Sequence, residues 1–341
     1  MPSPRVTVVI PTLSAGDALW ECVRSLQNQS CRNFSIVIVD NSGEHRVNNT
    51  WPSDLPNTAV TTLHPGANLG YGSAVNLAAR SHPADFIAVI NDDAAAHPLW
   101  LQSLLDMFAQ HPEAGSAASQ VRLAGPADSL DSAGMAIAAD GTTKQRGHLQ
   151  SPSLFNEPAE VLLPSGSAAI YRAETFTQTG GFDDDFFLYC EDSDLGLRAR
   201  WAGWTCRYVP AAIVHHRYSH SAGRASRLKA FYVERNRLRL IVKNFPAPRI
   251  ARALFATPLR YLYHFLAMRR GHGAAAQFQR DGQSAWTLVS CVLSAHFELV
   301  RSLPRLWRQR RSIRATAKIS AASFAATLDR HSISLQQVAE L

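Results

Sequence analysis

Two groups of acidic residues in this chain of 341 residues have the types and spacing for chemistry. The denser group lies in residues 180–204, where six carboxylates stand among Phe, Tyr and Trp residues. Acidic side chains are seldom placed among aromatic ones unless they are paired, hydrated or used in a reaction. The second group, Asn91-Asp92-Asp93, directly follows an apolar run. We expect both groups to belong to a functional site.

The cluster of Asn91, Asp92 and Asp93 offers hard oxygen donors of the kind that Mg²⁺ or Mn²⁺ prefers. An ion held there would leave coordination positions open for phosphate oxygens and would neutralise a diphosphate leaving group. The same residues also suit an Asx turn or a helix cap before Pro98. Both interpretations stay open on the sequence alone.

The pair Glu191-Asp192 provides a carboxylate for general-base chemistry, in which one of the two takes a proton from an attacking hydroxyl. Asp194 belongs to the same group, because the spacing predicts that a helix begins here and the helix dipole favours anions in its first turn. Simple capping by Asp192 is the alternative interpretation.

His215 follows an apolar run and could be a further metal ligand as a neutral imidazole. His216 or His220 would then take a supporting role. The alternative is that His215 is a structural histidine.

The elements that must position these residues are predicted by hydrophobic patterning. Apolar runs at residues 6–10, 34–39 and 86–90 alternate with amphipathic stretches, which indicates an α/β fold with a mostly parallel sheet covered by helices on both faces. Ligands of such sheets bind at the carboxyl ends of the strands. The loops expected at that edge contain a group of donors, acceptors and glycines suited to a nucleotide: Pro11, Thr12, Leu13, Asp40, Asn41, Asn68 and Gly70.

Six segments together resemble the family 2 glycosyltransferases, particularly their rhamnosyltransferase-like branch. They are VVIPTL at 8–13, IVDNS at 38–42, NLGYG at 68–72, NDD at 91–93, GGFDDDFFLY at 180–189 and EDSDL at 191–195. The resemblance covers about residues 1–245, and the six segments follow one another in the same order as in the family. It implies a Rossmann-like GT-A fold and inverting transfer from a nucleotide-diphospho-sugar, with dTDP-rhamnose favoured and a UDP-sugar as the close alternative.

The resemblance also implies roles for individual residues. Thr12 and Asp40 would contact the nucleotide base, and Asn68 and Gly70 would line the donor pocket. Asp93 would be the chief metal carboxylate, His215 resembles a metal-binding histidine, and Asp192 would be the base, supported by Glu191 and Asp194. The remaining residues assigned to nucleotide-sugar binding are Pro11, Leu13, Asn41, Asn91 and Asp92. The chain departs from the family pattern at Asn91, where an Asp-x-Asp motif has its first Asp.

The charge is divided unevenly along the chain. Residues 1–223 hold 13 Lys and Arg against 22 Asp and Glu, whereas residues 224–341 hold 21 against 5. We therefore expect a catalytic domain at 1–225 and a basic, amphipathic helical region at 226–341. In that region, apolar residues recur at helical spacing from Leu288 to Leu303 and arginines follow. The helix would suit an anionic membrane surface. Packing on the catalytic domain is the alternative, and no nucleic-acid-binding motif accompanies the charge.

Composition restricts the compartment and the competing functions. Five irregularly spaced cysteines match no disulfide framework, and neither a signal peptide nor a membrane span is predicted. We expect a cytoplasmic enzyme, peripheral at the inner face of the membrane, that transfers a sugar to a glycan or lipid-linked acceptor in cell-surface polysaccharide synthesis.

Two other functions compete with this one. A sugar nucleotidyltransferase would need a basic phosphate loop after the first strand. A non-catalytic nucleotide-sugar-binding scaffold would be expected to lack the acidic residues.

Overall fold

The structure is a computed structural model that describes residues 5–53, 55, 60–125, 128–217 and 226–340. Contacts within the chain divide it into two compact units. The first consists of Met1–Met135, Gln145–Phe187 and Trp204–Ser221, and the second of Ala136–Lys144, Leu188–Gly203 and Ala222–Leu341. Two short segments from within the first 225 residues thus group with the C-terminal helices. The predicted catalytic domain at 1–225 stays a prediction.

The strands of the described chain form one large sheet and one small one. In chain order they are β1 (Val6–Thr12), β2 (Phe34–Asp40), β3 (Val60–Leu63), β4 (Phe86–Ile90), β5 (Ala94–Ala96), β6 (Ala114–Leu123), β7 (Leu130–Ser132), β8 (Met135–Ile137), β9 (Thr143–Gln145), β10 (Ala159–Val161), β11 (Ala168–Arg172) and β12 (Thr205–His216). The large sheet has the order β10-β12-β6-β11-β4-β1-β2-β3, with β5 paired to β12 and β7 paired to β6. Strands β8 and β9 form the small sheet.

Neighbouring strands at one end of the large sheet run parallel, as the continuous apolar runs predict. Strand β1 is parallel to both β2 and β4, and β2 is parallel to β3. Antiparallel pairing enters through β11, which lies between β4 and β6. In the register of β1 and β2, Thr12 lies opposite Asp40. The carboxyl ends of the parallel strands therefore meet at one edge, where the predicted donor-binding residues lie.

Helices of the first unit bury their apolar faces on this sheet. They are α1 (Asp17–Gln27), the short α2 (Arg46–Asn49), α3 (Tyr71–Ser81), α4 (Trp100–Gln110) and α5 (Ala173–Thr179). Val6, Val8 and Ile10 of β1 share a core cluster with the buried faces of α1 and α4. Val9 points to the other side of the strand and is equally buried. Burial of both strand faces explains why β1 reads as an uninterrupted apolar run.

The second unit is built from helices. They are α6 (Glu191–Trp201), α7 (Arg227–Asn244), α8 (Ala247–Arg269), α9 (Gly273–Arg280), α10 (Ala285–Ala315), α11 (Ala321–Arg330) and α12 (Leu335–Glu340). The indole of Trp201 joins three of them: it stacks on Phe324, its Nε1 donates to Asn244 O at 3.0 Å, and the guanidinium of Arg314 lies over its ring. These contacts hold the end of α6 against the C-terminal helices. Within the described residues, no helix combines the length and the apolar character that crossing a membrane requires.

Candidate active site

Asp40 ends β2 and has both carboxylate oxygens bound by the loop that follows. Oδ1 accepts from the Ser42 hydroxyl at 2.5 Å and from the Ser42 amide at 3.1 Å, and Oδ2 accepts from the Val47 amide at 3.0 Å. Burial raises the pKa of Asp40, but the hydrogen bonds from Ser42 and Val47 outweigh it, so the pKa is lowered overall. His64 Nδ1 lies 3.5 Å from Oδ2. The carboxylate is an anion that organises the loop beyond β2.

Asn41 ties that loop to the glycine-containing loop before α3. Its Nδ2 donates to Gly70 O at 3.1 Å, and Asn68 Oδ1 accepts from the Gly70 amide at 2.9 Å. Gly70 has φ +80, and a Cβ there would overlap the carbonyl of Phe187. Only glycine therefore fits this close approach without a backbone shift. The structure brings Asn41, Asn68 and Gly70 together as predicted, with the Asn41 side chain positioning the loop.

Thr12 and Asp92 connect the ends of β1 and β4. Thr12 Oγ1 lies 2.6 Å from Asp92 Oδ2, and Thr12 is buried, whereas Leu13 beside it is exposed. Burial raises the pKa of Asp92 to about 6, and the like charge of Asp93 adds to the shift while the Thr12 hydrogen bond opposes it. Asp92 thus faces the β1 loop.

Asp93 faces the imidazole of His216. The His216 Nε2 atom lies 3.1 Å from Asp93 Oδ1 and 3.2 Å from Asn91 Nδ2, and His216 Nδ1 lies 2.8 Å from Asp131 Oδ2. Burial lowers the pKa of His216, but hydrogen bonds to Asp131 and Asp93 outweigh it and raise the pKa to about 9. Asp131 stays ionised, because hydrogen bonds from His148 and His216 offset its burial and lower its pKa. The imidazole is held in one orientation between two carboxylates.

The expectation that His215 lies beside Asp93 is wrong. Strand β12 pairs antiparallel with β5, so that His216 is opposite Ala94, next to Asp93. Successive side chains of a strand point to opposite faces, and His215 is accordingly exposed on the other side, near Arg122, Asp128 and His97. His220, the other histidine with an expected supporting role, lies outside the described residues.

Asp93 and His216 offer an oxygen and a nitrogen donor that fit a divalent metal ion, which would displace the Nε2 proton of His216 on binding. Their oxygen and nitrogen atoms converge within hydrogen-bonding distance, and Asp131 on the far nitrogen of the ring completes the carboxylate–histidine arrangement that orients metal-binding imidazoles. In the part of the chain that the structure describes, no three His, Cys, Asp or Glu side chains are grouped to hold an ion by themselves. An ion bound here would need oxygen ligands from substrate or water.

In the second unit, α6 starts from a strained turn. Tyr189 and Cys190 have φ values of +68 and +65, which are unfavourable for residues other than glycine. The buried Asn236 of α7 holds this turn, because its Nδ2 donates to Leu188 O at 2.8 Å and to Tyr189 O at 2.7 Å. Asn236 therefore positions the turn that precedes Glu191 and Asp192.

Glu191 and Asp192 lie in different surroundings at the first turn of α6. Glu191 is buried, and its Oε2 has no hydrogen-bond partner among the described residues. Burial, with a contribution from the charge of Asp192, raises the pKa of Glu191 to about 8. Asp192 is half-buried, and its Oδ1 accepts from the Ser193 amide at 2.6 Å. Environments that separate two carboxyl groups in this way are typical of acid–base sites.

Asp194 is the anchor of α6. It is completely buried and accepts from Arg198 Nε at 2.8 Å, from Lys243 Nζ at 2.9 Å and from Asn244 Nδ2 at 2.9 Å. Burial raises its pKa, but the charges of Arg198 and Lys243 and the hydrogen bonds outweigh it and lower the pKa to about 2. Asp194 therefore supports Asp192 by fixing the helix that carries it.

Sequence reasoning missed Asp131 and the function of Asn236. The signal for Asp131 is an acidic residue between an apolar and a small one in Leu130-Asp131-Ser132. Its side chain reaches His216 only because β7 pairs with β6, and β6 in turn pairs with β12. No local pattern indicates such a contact between residues 131 and 216.

The chain is similar to known sugar-transferring proteins. The family model described as "Glycosyltransferase like family 2" matches residues 4–239. The N-acetylglucosaminyl-diphospho-decaprenol L-rhamnosyltransferase of Mycobacterium tuberculosis (strain ATCC 25618 / H37Rv) is 34% identical over 253 residues, which are 66% of this chain and 80% of that protein. The O-antigen chain rhamnosyltransferase WbaN of Salmonella anatum is 25% identical over 223 residues, 64% of this chain and 68% of that protein.

Two solved structures share the fold. GalNAc-T7 with UDP, GalNAc and Mn²⁺ gives a TM-score of 0.58 at 15% identity, covering 79% of this chain and 51% of that chain. The mannosyltransferase PcManGT from Pyrobaculum calidifontis with GDP-Man and Mn²⁺ gives a TM-score of 0.53 at 15% identity, covering 94% of this chain and 87% of that chain. The prediction of a GT-A fold with a mostly parallel sheet and a C-terminal helical region is confirmed.

Proposed function

Because the chain belongs to glycosyltransferase family 2, we propose that it is an inverting enzyme that transfers rhamnose from a nucleotide-diphospho-sugar. The acceptor would be a hydroxyl of a glycan or lipid-linked sugar in cell-surface polysaccharide synthesis. Two rhamnosyltransferases among the similar proteins support the choice of sugar. We favour dTDP-rhamnose as the donor. A UDP-sugar is the alternative, since a structure of the same fold was solved with UDP.

On the donor side, we assign nucleotide binding to the edge formed by β1, β2 and the loop before α3. Thr12 and Asp40 lie opposite one another at the strand ends, where a base would meet them. Asn41 holds Gly70 in place, and the absence of a side chain at Gly70 lets its loop approach the Phe187 carbonyl closely. The exposed Leu13 offers an apolar surface beside the buried Thr12. Pro11, Asn68, Asn91 and Asp92 complete the proposed nucleotide-sugar site.

We propose that Asp93 and His216 hold Mg²⁺ or Mn²⁺. The bound ion would stabilise the negative charge of the departing nucleoside diphosphate. The chain's own contribution is orientation: Asp131 holds His216 through Nδ1, which leaves Nε2 directed at Asp93. Asn91, at the position of the missing first carboxylate, lies 3.2 Å from the same nitrogen. Its amide adds no negative charge to the site.

We propose Asp192 as the general base. As the acceptor oxygen forms its bond to the anomeric carbon, the bond from that carbon to the diphosphate oxygen breaks, and the hydroxyl proton passes to the Asp192 carboxylate. Glu191, with its pKa raised to about 8, is protonated near neutral pH. Asp192 is also the more exposed of the two, so it is the one that can meet an acceptor.

The observation that carries this proposal is the arrangement of Asp93, His216 and Asp131 at the carboxyl edge of a GT-A sheet. Thermal melting tests it with dTDP, UDP and GDP, each with and without Mn²⁺. A ligand that binds only the folded protein stabilises it by roughly 3 kcal/mol at a concentration of about 100 times its Kd. We expect dTDP with Mn²⁺ to raise the Tm most. No shift with any nucleoside diphosphate would refute nucleotide-sugar binding.

A further inference from the structure

Helix α10 carries large apolar side chains on the side that faces solvent. We call this set the outward face of α10, and its members are Trp286, Val289, Leu293, Phe297, Val300 and Trp307. Trp286 is 80% exposed, Leu293 66% and Phe297 61%. Of the seventeen exposed large apolar residues in the described chain, twelve lie on α8 and α10. Monomeric soluble proteins rarely concentrate exposed apolar groups in this way.

The packing face of α10 lies on the opposite side of the helix. Its buried residues include Cys291, Ala295, Ser302 and Leu306. With 3.6 residues per turn, these positions project roughly 180° away from Leu293 and Phe297. An ordinary surface helix is apolar toward the protein and polar toward water. Apart from Leu306 and Arg310, the buried residues of α10 are small, whereas its Trp and Phe residues are exposed to water.

Helix α8 shows the same inversion. Its buried positions include Ala253, Ala256 and Ala267, which are small, whereas Leu254 and Phe255 are 69% and 82% exposed. We call its exposed set the outward face of α8, consisting of Leu254, Phe255, Leu259, Leu262, Phe265 and Leu266. Two helices of one unit thus present apolar faces that nothing in the described chain covers.

Positive charge accompanies the outward face of α10. Arg308 and Arg311 are exposed and follow Trp307 on the same helix. The C-terminal region as a whole holds 21 Lys and Arg against 5 Asp and Glu over residues 224–341. Apolar side chains that include Trp and Phe, next to arginines, match the acyl and anionic headgroup layers of a lipid surface. No helix of the described residues is long and apolar enough to cross a membrane.

We propose that the outward faces of α8 and α10 bind the surface of an anionic lipid bilayer, with the helices lying in the plane of the interface. The segment from Trp286 to Trp307 is about 30 Å long at 1.5 Å per residue, and it would bury its apolar side chains among the headgroups. A second copy of this chain suits the face less well, because two regions with the same large positive charge would repel each other.

The biological purpose of this contact depends on the proposed function, because a lipid-linked acceptor would be reached from the membrane surface. The lipid contact itself does not depend on it. Vesicle binding by a protein that binds no nucleotide would leave the interface standing and refute the donor assignment. Nucleotide binding without vesicle binding would refute the lipid interface and leave the donor assignment intact.

Flotation of the full chain with vesicles tests the interface. One set of vesicles contains phosphatidylcholine alone, and the other an equimolar mixture of phosphatidylcholine and phosphatidylglycerol. We expect binding to the mixed vesicles that weakens as salt is raised. The double variant Leu293→Glu with Phe297→Glu should lose binding. Arg308→Gln with Arg311→Gln should lower the partition coefficient by about 30-fold, since each basic residue near the surface contributes roughly fivefold.

The matched control is Leu149→Glu with Leu154→Glu, which makes the same change at two exposed leucines of the first unit. It should bind vesicles as the native protein does. Circular dichroism confirms that each variant is folded, which is expected because the altered side chains are exposed. Equal loss in the control, or no vesicle binding by the native chain, would overturn the proposal. So would a concentration-dependent dimer that Leu293→Glu with Phe297→Glu abolishes in the absence of lipid.

Discussion

Replacing Asp194 with Asn should destabilise the protein strongly, because the carboxylate is the common partner of two buried cations. Side-chain exposure is 8% for Arg198, 2% for Lys243 and 0% for Asp194 itself. The Asp194→Asn variant keeps the shape but removes the negative charge that Asp194 supplies to both cations. Removing one partner of a buried ion pair costs about 3 to 5 kcal/mol. That is a large part of the roughly 5 to 15 kcal/mol that stabilises a typical domain.

The pH dependence of this loss follows from the pKa of Asp194. In the folded state it is about 2, below the ordinary value of 3.8. A lowered pKa stabilises the folded state above the ordinary value, and the stabilisation disappears as the pH falls through about 2. The difference between native protein and variant should therefore be complete near pH 7 and smaller by roughly 1 kcal/mol near pH 3.

Urea unfolding followed by circular dichroism at both pH values measures this difference. The matched control is Glu44→Gln, which removes the carboxylate from an exposed pair in which Arg46 is 49% and Glu44 66% exposed. Its effect should stay below about 1 kcal/mol. The double variant Asp194→Asn with Lys243→Met should recover part of the loss, because one of the two buried cations that Asp194 neutralises is removed as well. A cost below about 1 kcal/mol for Asp194→Asn, or an equal cost at both pH values, would refute the anchoring role.

Three further predictions concern the chemistry. Asp192→Asn should lower kcat by about 10² to 10⁴-fold while dTDP still raises the Tm, and transfer within tenfold of the native rate would exclude Asp192 as the base. His216→Gln should remove the Mn²⁺-dependent part of the thermal shift, whereas His215→Gln should retain it; the opposite pattern would contradict the metal assignment. Asp131→Asn should weaken Mn²⁺ binding by about 10 to 100-fold in a calorimetric titration, and unchanged affinity would show that Asp131 does not orient His216.

The edge of the sheet could be predicted from the sequence because its signals are local. Strands β1, β2 and β4 lie where the apolar runs predicted them. The carboxyl ends of parallel strands share an edge, so Thr12 and Asp40 were expected near one another, and they are paired in register. The start of α6 was also predictable from the acidic first turn and the apolar spacing.

The choice between His215 and His216 could not be made in this way. Adjacent residues of a strand point to opposite faces, and the face that meets Asp93 is set by the pairing of β12 with β5. The register of β12 against β6 also shifts between Val209 and Ile213, so counting alternate residues along the strand fails.

In the C-terminal region, too, the sequence predicted the helix, whereas only the structure shows which of its faces is exposed. Helical spacing from Leu288 to Leu303 predicted α10, and a helix is present there. The spacing could not show which apolar residues are exposed, because α10 carries apolar side chains around much of its circumference. Leu288 and Leu303 are half-buried, whereas Leu293 and Phe297, which lie between them, are exposed.

The sequence by itself determined the order of elements, the edge that carries the polar loops and the acidic start of α6, because each depends on residues close together in the chain. The tertiary structure alone decided that His216 faces Asp93, that Asn236 holds the turn before Glu191, and that Asp194 is an anchor and not a free carboxylate. These contacts join residues far apart in sequence, and strand pairing and helix packing decide which side chains meet.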